Sequence, residues 1–330
     1  MKRKVAGPAA DAPAYPGAYC IDRFSIFQGT LRLSGWIYSP ALQIARLLLQ
    51  VPNGGTYAVA FGDKSPDLVP VFGPQASHSR FDHSLVFPDS RAAMIAARLL
   101  ILFKDGTSAA ISHLGSPKDS LMSVFSQQVR DKENSEPGQP QRLLEIGSRA
   151  RSGIVRKGLL PEGWCYSGFD VLDGPNVDVV GDAHQLSRSY PRDYFDGVMA
   201  FSVLEHLLMP WKAMIEINRV MKRGAIGIFT THQCWPLHDQ PWDFWRFSED
   251  SWKALLNEPL GFEILETRMD EPAYIVAARC HAVTAFAEQP ESFLASSVIF
   301  RKTGNTLLEW PVELEDIIST RYPAMTTNLR

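Results

Sequence analysis

The chain has 330 residues, 45% of them apolar and 21% charged, with a formal net charge of −3. This is the composition of a soluble globular protein, long enough for two domains that each bury a core. The slightly acidic balance leaves no broad basic field for nucleic acid, and the apolar run at 98–103 is far too short to span a bilayer.

The chain opens on Met1-Lys-Arg-Lys, but no apolar core follows, so this is not a secretory signal. Residues 1–18, rich in Ala and Pro, read as a disordered leader. From 19 to 114 the pattern predicts a small β-sandwich-like domain. Its strands are expected at 30–38, 44–51, 56–61, 81–86, 97–103 and 108–112, with a short helix over 91–97 as the other reading of that stretch. Trp36 is expected in its core. The texture Ile21-Asp22, Gly35-Trp36, Pro40 looks like small β-domains attached to bacterial glycan-modifying enzymes. Residues 115–141 read as a linker, with a helical stretch at 119–130 and a breaker-rich tether after it.

The stretch 142–247 has the rhythm of a parallel α/β sheet: short apolar runs that end in small or acidic residues. Arg142-Leu-Leu-Glu-Ile-Gly147 predicts a buried strand stopping at a glycine. Gly147 and Gly153 bracket a loop that a ligand can approach closely. The next strand, 165–170, ends in Asp170, where a carboxylate can accept from the ribose hydroxyls of a nucleotide-like cofactor. After the strand at 177–180 comes Gly181-Asp182-Ala183, where Asp182 can accept from an adenine amino group. The strand at 195–201 runs into Ser202-Val-Leu-Glu-His206. Apolar residues at 213, 214, 217, 220 and 221 predict a helix stopped by Gly224, and 225–230 a fifth strand. A helix from 248 and a strand at 261–266 follow, and the tail 304–330 carries no functional pattern.

These ordered pieces resemble the class I S-adenosylmethionine-dependent methyltransferases, in the branch called methyltransferase type 11, over roughly residues 140–270. The resemblance implies a Rossmann-like, seven-stranded α/β sheet with one antiparallel strand, a last strand at 296–301, and a domain spanning 142–303. It implies S-adenosylmethionine across the strand tips. Glu145, Gly147 and Ser148 would sit beside the methionine part, Asp170 and Val171 at the ribose, Asp182 and Ala183 at the adenine. Phe201 and Ser202 would lie near the sulfonium, with Glu205 orienting the cofactor. Arg149 departs from the pattern, standing where many members have a second glycine. The spacing G-x-G-x-x-G of a dinucleotide site is absent, which argues against an NAD-dependent dehydrogenase.

The segment after the fifth strand, 230–247, packs three tryptophans and two histidines into eighteen residues. A polar-aromatic loop of that density at strand tips is expected to form the acceptor wall. His232 or His238 is the expected general base, with Asp243 orienting it or Arg246 holding the acceptor. The plainer reading pairs Asp243 with Arg246 structurally and gives the tryptophans to packing. For His206, loop packing and catalysis both stand, and His184 is expected to flank the adenine. Cys20, Cys165, Cys234 and Cys280 are scattered, with no C-x-x-C pair. They read as free thiols in a cytoplasmic setting, and metal-independent chemistry is expected. The expected reaction is methylation of a small-molecule or glycan acceptor, first a saccharide hydroxyl. A lipid-like or quinone-type metabolite, or an inert binding module, are the alternatives.

Overall fold

The computed structural model describes residues 13–27, 29–52, 55–86, 96–115, 121–135, 140–151, 153–160, 163–279, 281–282, 284 and 292–323. The chain divides into two compact units, Met1–Lys118 and Asp119–Arg330.

The first unit has seven strands: β1 (Ala18–Phe27), β2 (Thr30–Tyr38), β3 (Ile44–Val51), β4 (Gly55–Val59), β5 (Arg80–Val86), β6 (Arg98–Phe103) and β7 (Ser108–Ile111). A short α-helix, α1 (Val69–Phe72), lies between β4 and β5, flanked by the 3-10 turns Pro66–Leu68 and Pro74–Ala76. The strands form two antiparallel sheets, ordered β1-β2-β5 and β4-β3-β6-β7. Alternation along each strand sends Leu31 and Leu33 of β2, Leu47 and Leu49 of β3, and Leu99 and Ile101 of β6 into one shared core. Each such side chain contributes about 1.5–3 kcal/mol by leaving water.

Two expectations change here. Residues 13–18 of the segment read as a leader pack on the fold, where Tyr15 is buried and Ala110 donates its N–H to the Pro13 carbonyl at 2.7 Å. Strand β1 was not among the predicted strands; a bulge between Ile21 and Arg23 breaks its alternation. The helical alternative for 91–97 falls on 91–95, outside the described residues, and Trp36 is only half buried, packed against Phe72.

The second unit opens with α2 (Leu121–Ser135), which covers most of the helical stretch expected at 119–130 and runs on into the start of the expected tether. Leu121, Phe125 and Val129 repeat every four residues and bury against Leu143, Met199, Ile228 and Ile299. The sheet they cover has seven strands: β8 (Arg142–Ile146), β9 (Cys165–Asp170), β10 (Val179–Val180), β11 (Phe195–Phe201), β12 (Met221–His232), β13 (Phe262–Ala273) and β14 (Ser292–Lys302). Their order is β10-β9-β8-β11-β12-β14-β13, and β14 runs antiparallel to both neighbours. Residues one step out of register, Leu144, Val198, Ala200 and Phe229, point to the other face. There they pack on Ala213, Met214 and Ile217 of α3 (Pro210–Val220) and on Trp252 and Leu255 of α4 (Ser251–Leu255). Helix α3 ends at Val220, so Gly224, expected to stop it, lies within β12 with φ +80°.

Seven strands with one antiparallel to its neighbours is the sheet that the resemblance implied. Its strand order turns back between β8 and β11, with β9 and β10 continuing on one side and β12 on the other. A crevice opens at such a reversal, outside the carboxyl ends of the strands.

Candidate functional site

A cavity of about 470 Å³ lies at that reversal, lined by the tips of β8, β9, β11 and β12. Gly147 ends β8 with φ +74°, and a Cβ there would stand 2.1 Å from Val203 Cγ2. The first loop therefore passes too close to the fourth strand's loop for any side chain. Ser202 takes φ +53° and donates its N–H to the Thr230 carbonyl at 2.8 Å, turning the chain sharply out of β11. Phe201 and Ser202 both line the cavity, and the Arg156 guanidinium sits 4.2 Å over the Phe201 ring.

Asp170 and Val171 form the next stretch of wall. The Asp170 carboxylate accepts the backbone N–H of Leu172 at 2.9 Å and of Arg149 at 3.3 Å, with Arg149 Nε 3.7 Å away. Asp182 and Ala183 line the far end. His184 Nε2 accepts the Met209 N–H at 3.2 Å, so the ring proton is on Nδ1, 2.6 Å from Asp182 Oδ1. Burial pulls the Asp182 carboxyl up, but the His184 contacts and Lys212 leave it below its ordinary value.

Four expected cofactor residues stand back from the wall. Glu145 is buried, with one oxygen taken by the Tyr166 hydroxyl and the other by Arg156 at 3.1 Å; burial raises its carboxyl above the ordinary value. Ser148 is turned against Gly168, and its carbonyl accepts from Asn176 Nδ2 at 2.9 Å. Gly153 adopts φ +77° with open space around it. Glu205 lies behind His206 and His232 rather than on the surface of the cavity.

Its position is the centre of a cluster. The Glu205 side chain is fully buried, and Oε2 accepts from Thr231 Oγ1 at 2.5 Å. Around Oε1 stand His232 Nε2 at 3.1 Å, His206 Nε2 at 3.8 Å and His238 Nε2 at 3.9 Å. Burial works against the Glu205 carboxylate, yet His232, His206 and Thr231 hold its pKa below the usual range. His206 Nδ1 lies 2.5 Å from the Trp242 carbonyl, and His238 Nδ1 3.1 Å from the Pro236 carbonyl. A carbonyl only accepts, so both Nδ1 atoms carry hydrogen and, in the neutral rings, both Nε2 atoms face the cluster as lone pairs. Burial lowers the His206 pKa and keeps that ring neutral. The Glu205 backbone carbonyl accepts N–H bonds from Phe244 at 2.8 Å and Trp245 at 3.2 Å, which fixes the loop carrying His238.

Asp243 and Arg246 take the plainer of their two readings. They pair through both oxygens at 2.6 and 2.8 Å, and Asp243 also accepts the His238 N–H at 2.9 Å. Burial disfavours the Asp243 carboxylate, but Arg246 and that N–H hold its pKa at about 2. Arg246, expected to hold an acceptor, spends its other bonds on the carbonyls of Trp235, Pro236 and Trp245. The pair clamps the loop. Asp243 still touches His238, so its orienting part is through the backbone.

Sequence reasoning missed a second group. Asp239, φ +48° and buried, accepts from Arg151 at 2.6 and 3.2 Å and from the Tyr322 hydroxyl at 2.7 Å. All three line the cavity. The segment at 304–323, read as carrying no function, reaches it along α3, where Lys212 Nζ donates to the Val312 carbonyl at 2.7 Å. No periodicity joins residues so far apart. The density of charge and aromatics at 238–246 was the one available hint for Asp239.

Residues 170–229 match the family model described as "Methyltransferase domain". No curated protein matches the sequence. Among solved structures, a SAM-dependent methyltransferase from Archaeoglobus fulgidus is similar at 20% identity, TM-score 0.38, covering 55% of this chain and 94% of that one. The YcgJ protein from Bacillus subtilis is similar at 15% identity, TM-score 0.38, covering 54% and 95%. The CurJ carbon methyltransferase is similar at 13% identity, TM-score 0.38, covering 56% and 54%.

Proposed function

We propose, from the premise that this chain carries a class I S-adenosylmethionine-dependent methyltransferase domain, that it methylates a hydroxyl group of a saccharide or glycan precursor. The observation that carries this reading is the placement of three imidazoles around one buried carboxylate, in the same cavity as Asp170 and Asp182.

The residues present fit the cofactor. Asp170 offers acceptors for ribose hydroxyls, and Asp182 with Ala183 for an adenine. The glycine at 147 leaves room at the methionine end, beside Phe201 and Ser202. The arginines of the wall stand beside carboxylates: Arg149 with Asp170, Arg151 with Asp239, Arg156 with Glu145. No uncompensated guanidinium among them opposes a sulfonium, and each keeps donors for a carboxylate. S-adenosylmethionine supplies an electrophilic methyl group. The chain positions the acceptor in line with it and removes the hydroxyl proton. His238 and His206 present bare Nε2 atoms for that task, and Glu205 stabilises the imidazolium that forms. Trp235 stacks on His232, ring centroids 4.8 Å apart and planes 12° apart, and stays partly exposed on the cavity wall. A flat ring held in this way suits the apolar face of a pyranose. Among the described residues no helix is long and apolar enough to cross a membrane. Cytoplasmic operation remains part of the proposal.

The test is to incubate the protein with S-adenosylmethionine and a panel of nucleotide sugars and free glycosides, reading S-adenosylhomocysteine and methylated product by mass spectrometry. A methylated sugar is the expected result. Product only with quinol or lipid-like acceptors would sink the saccharide reading, and absence of cofactor binding by folded protein would sink the enzyme.

A further inference from the structure

Three lone-pair atoms converge at the tips of β11 and β12, with His232 Nε2 beside them. Glu205 Oε1 is fully buried and accepts no hydrogen bond. His232 Nε2, though 3.1 Å away, is not aligned to donate to it. His206 and His238 have committed their Nδ1 hydrogens to backbone carbonyls, so their Nε2 atoms, 3.8 and 3.9 Å from Oε1, bring no hydrogen either. Acceptors facing acceptors repel unless a cation stands among them.

We propose that Glu205, His232 and His238 form a binding site for a divalent transition metal of the zinc type.

The geometry suits such an ion. Ligand atoms around one ion at about 2.0–2.1 Å lie roughly 3–4 Å from each other. The distances from Oε1 fall in that range, and the ligand atoms of Glu205, His232 and His238 all lie within 4.8 Å of one another. Imidazole donors select zinc and its neighbours over magnesium, which takes oxygen. The outer partner of His238 is one that a metal-bound histidine uses, Nδ1–H to the Pro236 carbonyl. A second grouping, His206, His238 and Asp243, is ruled out because Arg246 occupies both Asp243 oxygens. Sequence spacing hid the site, because its ligands come from two strand ends and a loop. For its chemistry the inference rests on the methyl-transfer reading and replaces the His238 base in it: with that Nε2 lone pair on the ion, an acceptor hydroxyl bound there would lose its proton to water more readily. The binding claim itself does not depend on that reading.

The experiment titrates chelator-treated full-length protein with Zn²⁺ by calorimetry, follows Co²⁺ by its visible absorption, and measures S-adenosylmethionine binding on the same samples. One equivalent of Zn²⁺, a Co²⁺ spectrum showing nitrogen ligation, and far weaker Mg²⁺ binding are expected. His232→Gln and His238→Gln should each weaken Zn²⁺ by at least the 10- to 100-fold that loss of an outer partner typically costs. Their S-adenosylmethionine affinity should stay near that of the parent, which certifies the fold. Failure of the parent to bind Zn²⁺ while it binds S-adenosylmethionine would overturn the proposal, the cation of the cluster then being a proton. So would Zn²⁺ binding unchanged in both variants. Zn²⁺ binding lost in the variants, in a protein that never binds S-adenosylmethionine, would support the metal site and overturn the methyltransferase reading.

Discussion

The two units bury different things. Among the described residues, Ser65 and Ser79 are buried in the N-terminal unit, where Ser65 Oγ donates to the Ala76 carbonyl at 2.6 Å and accepts the Ser79 backbone N–H at 2.8 Å. Every buried charged residue among those described lies in the C-terminal unit. Most of these are neutralised where they stand. Lys302 Nζ donates to Asp193 and to the carbonyls of Asn218 and Met221 at 2.7–2.8 Å, and Lys222 sits on Asp196 at 2.8–2.9 Å. The cluster around Glu205 is the exception, since Oε1 lacks a donor. A carboxylate oxygen kept dry and without a donor costs stability, and such costs collect at functional sites. One unit is built to be a folded surface; the other accepts electrostatic strain at one place.

Substitutions can break or sharpen that contrast. The largest effect is expected for Glu205→Gln, an isosteric change that removes the central charge. Turnover should fall about 10²–10⁴-fold, the scale of proton-transfer catalysis, with the protein still folded by circular dichroism. Retained turnover would show that the strain serves nothing. Next is Leu99→Ala in the sandwich core, expected to cost about 2–5 kcal/mol in urea unfolding of that unit. S-adenosylmethionine affinity should not move; a shift would show that the units are energetically joined. Third is Asp170→Ala, expected to weaken S-adenosylmethionine about 10- to 100-fold, the worth of hydrogen bonds to a charged group, with little change in melting temperature. Unaltered affinity would remove Asp170 from the cofactor site. The smallest effect is expected for Arg80→Ala, which loses exposed ion pairs to Asp22 at 3.2 Å and Asp67 at 2.7 Å. Its urea midpoint should stay within the scatter of surface substitutions.

What could be read in the sequence follows the same division. Alternation such as Leu31, Leu33 and the apolar run at 142–146 report on neighbours a few residues away, and the strands they mark were legible. Helix α2 was legible too, through Leu121, Phe125 and Val129 every fourth residue, and only its last turn was hidden by the breakers after Lys132. At the candidate site, the acidic ends of strands were visible because each is a local event, a carboxylate where an apolar run stops. Tyr322 with Asp239, or Glu205 with His232 and His238, are meetings fixed only by sheet order. No local pattern encodes them. Arg246 shows the opposite error: a cation inside an aromatic-rich loop reads as a ligand for substrate, whereas carbonyls left unpaired by the loop itself consume it.

Glu205 also separates two properties that usually change together. Its main-chain carbonyl fastens the loop at Phe244 and Trp245, while its side chain sets the character of the cluster. A carbonyl survives any substitution at the position. On the proposed reading, variation at residue 205 explores new reactivity while the loop proposed to face the acceptor keeps its address. In a directed-evolution setting, this makes position 205 a place to alter what is done and positions 235–242 a place to alter what is held.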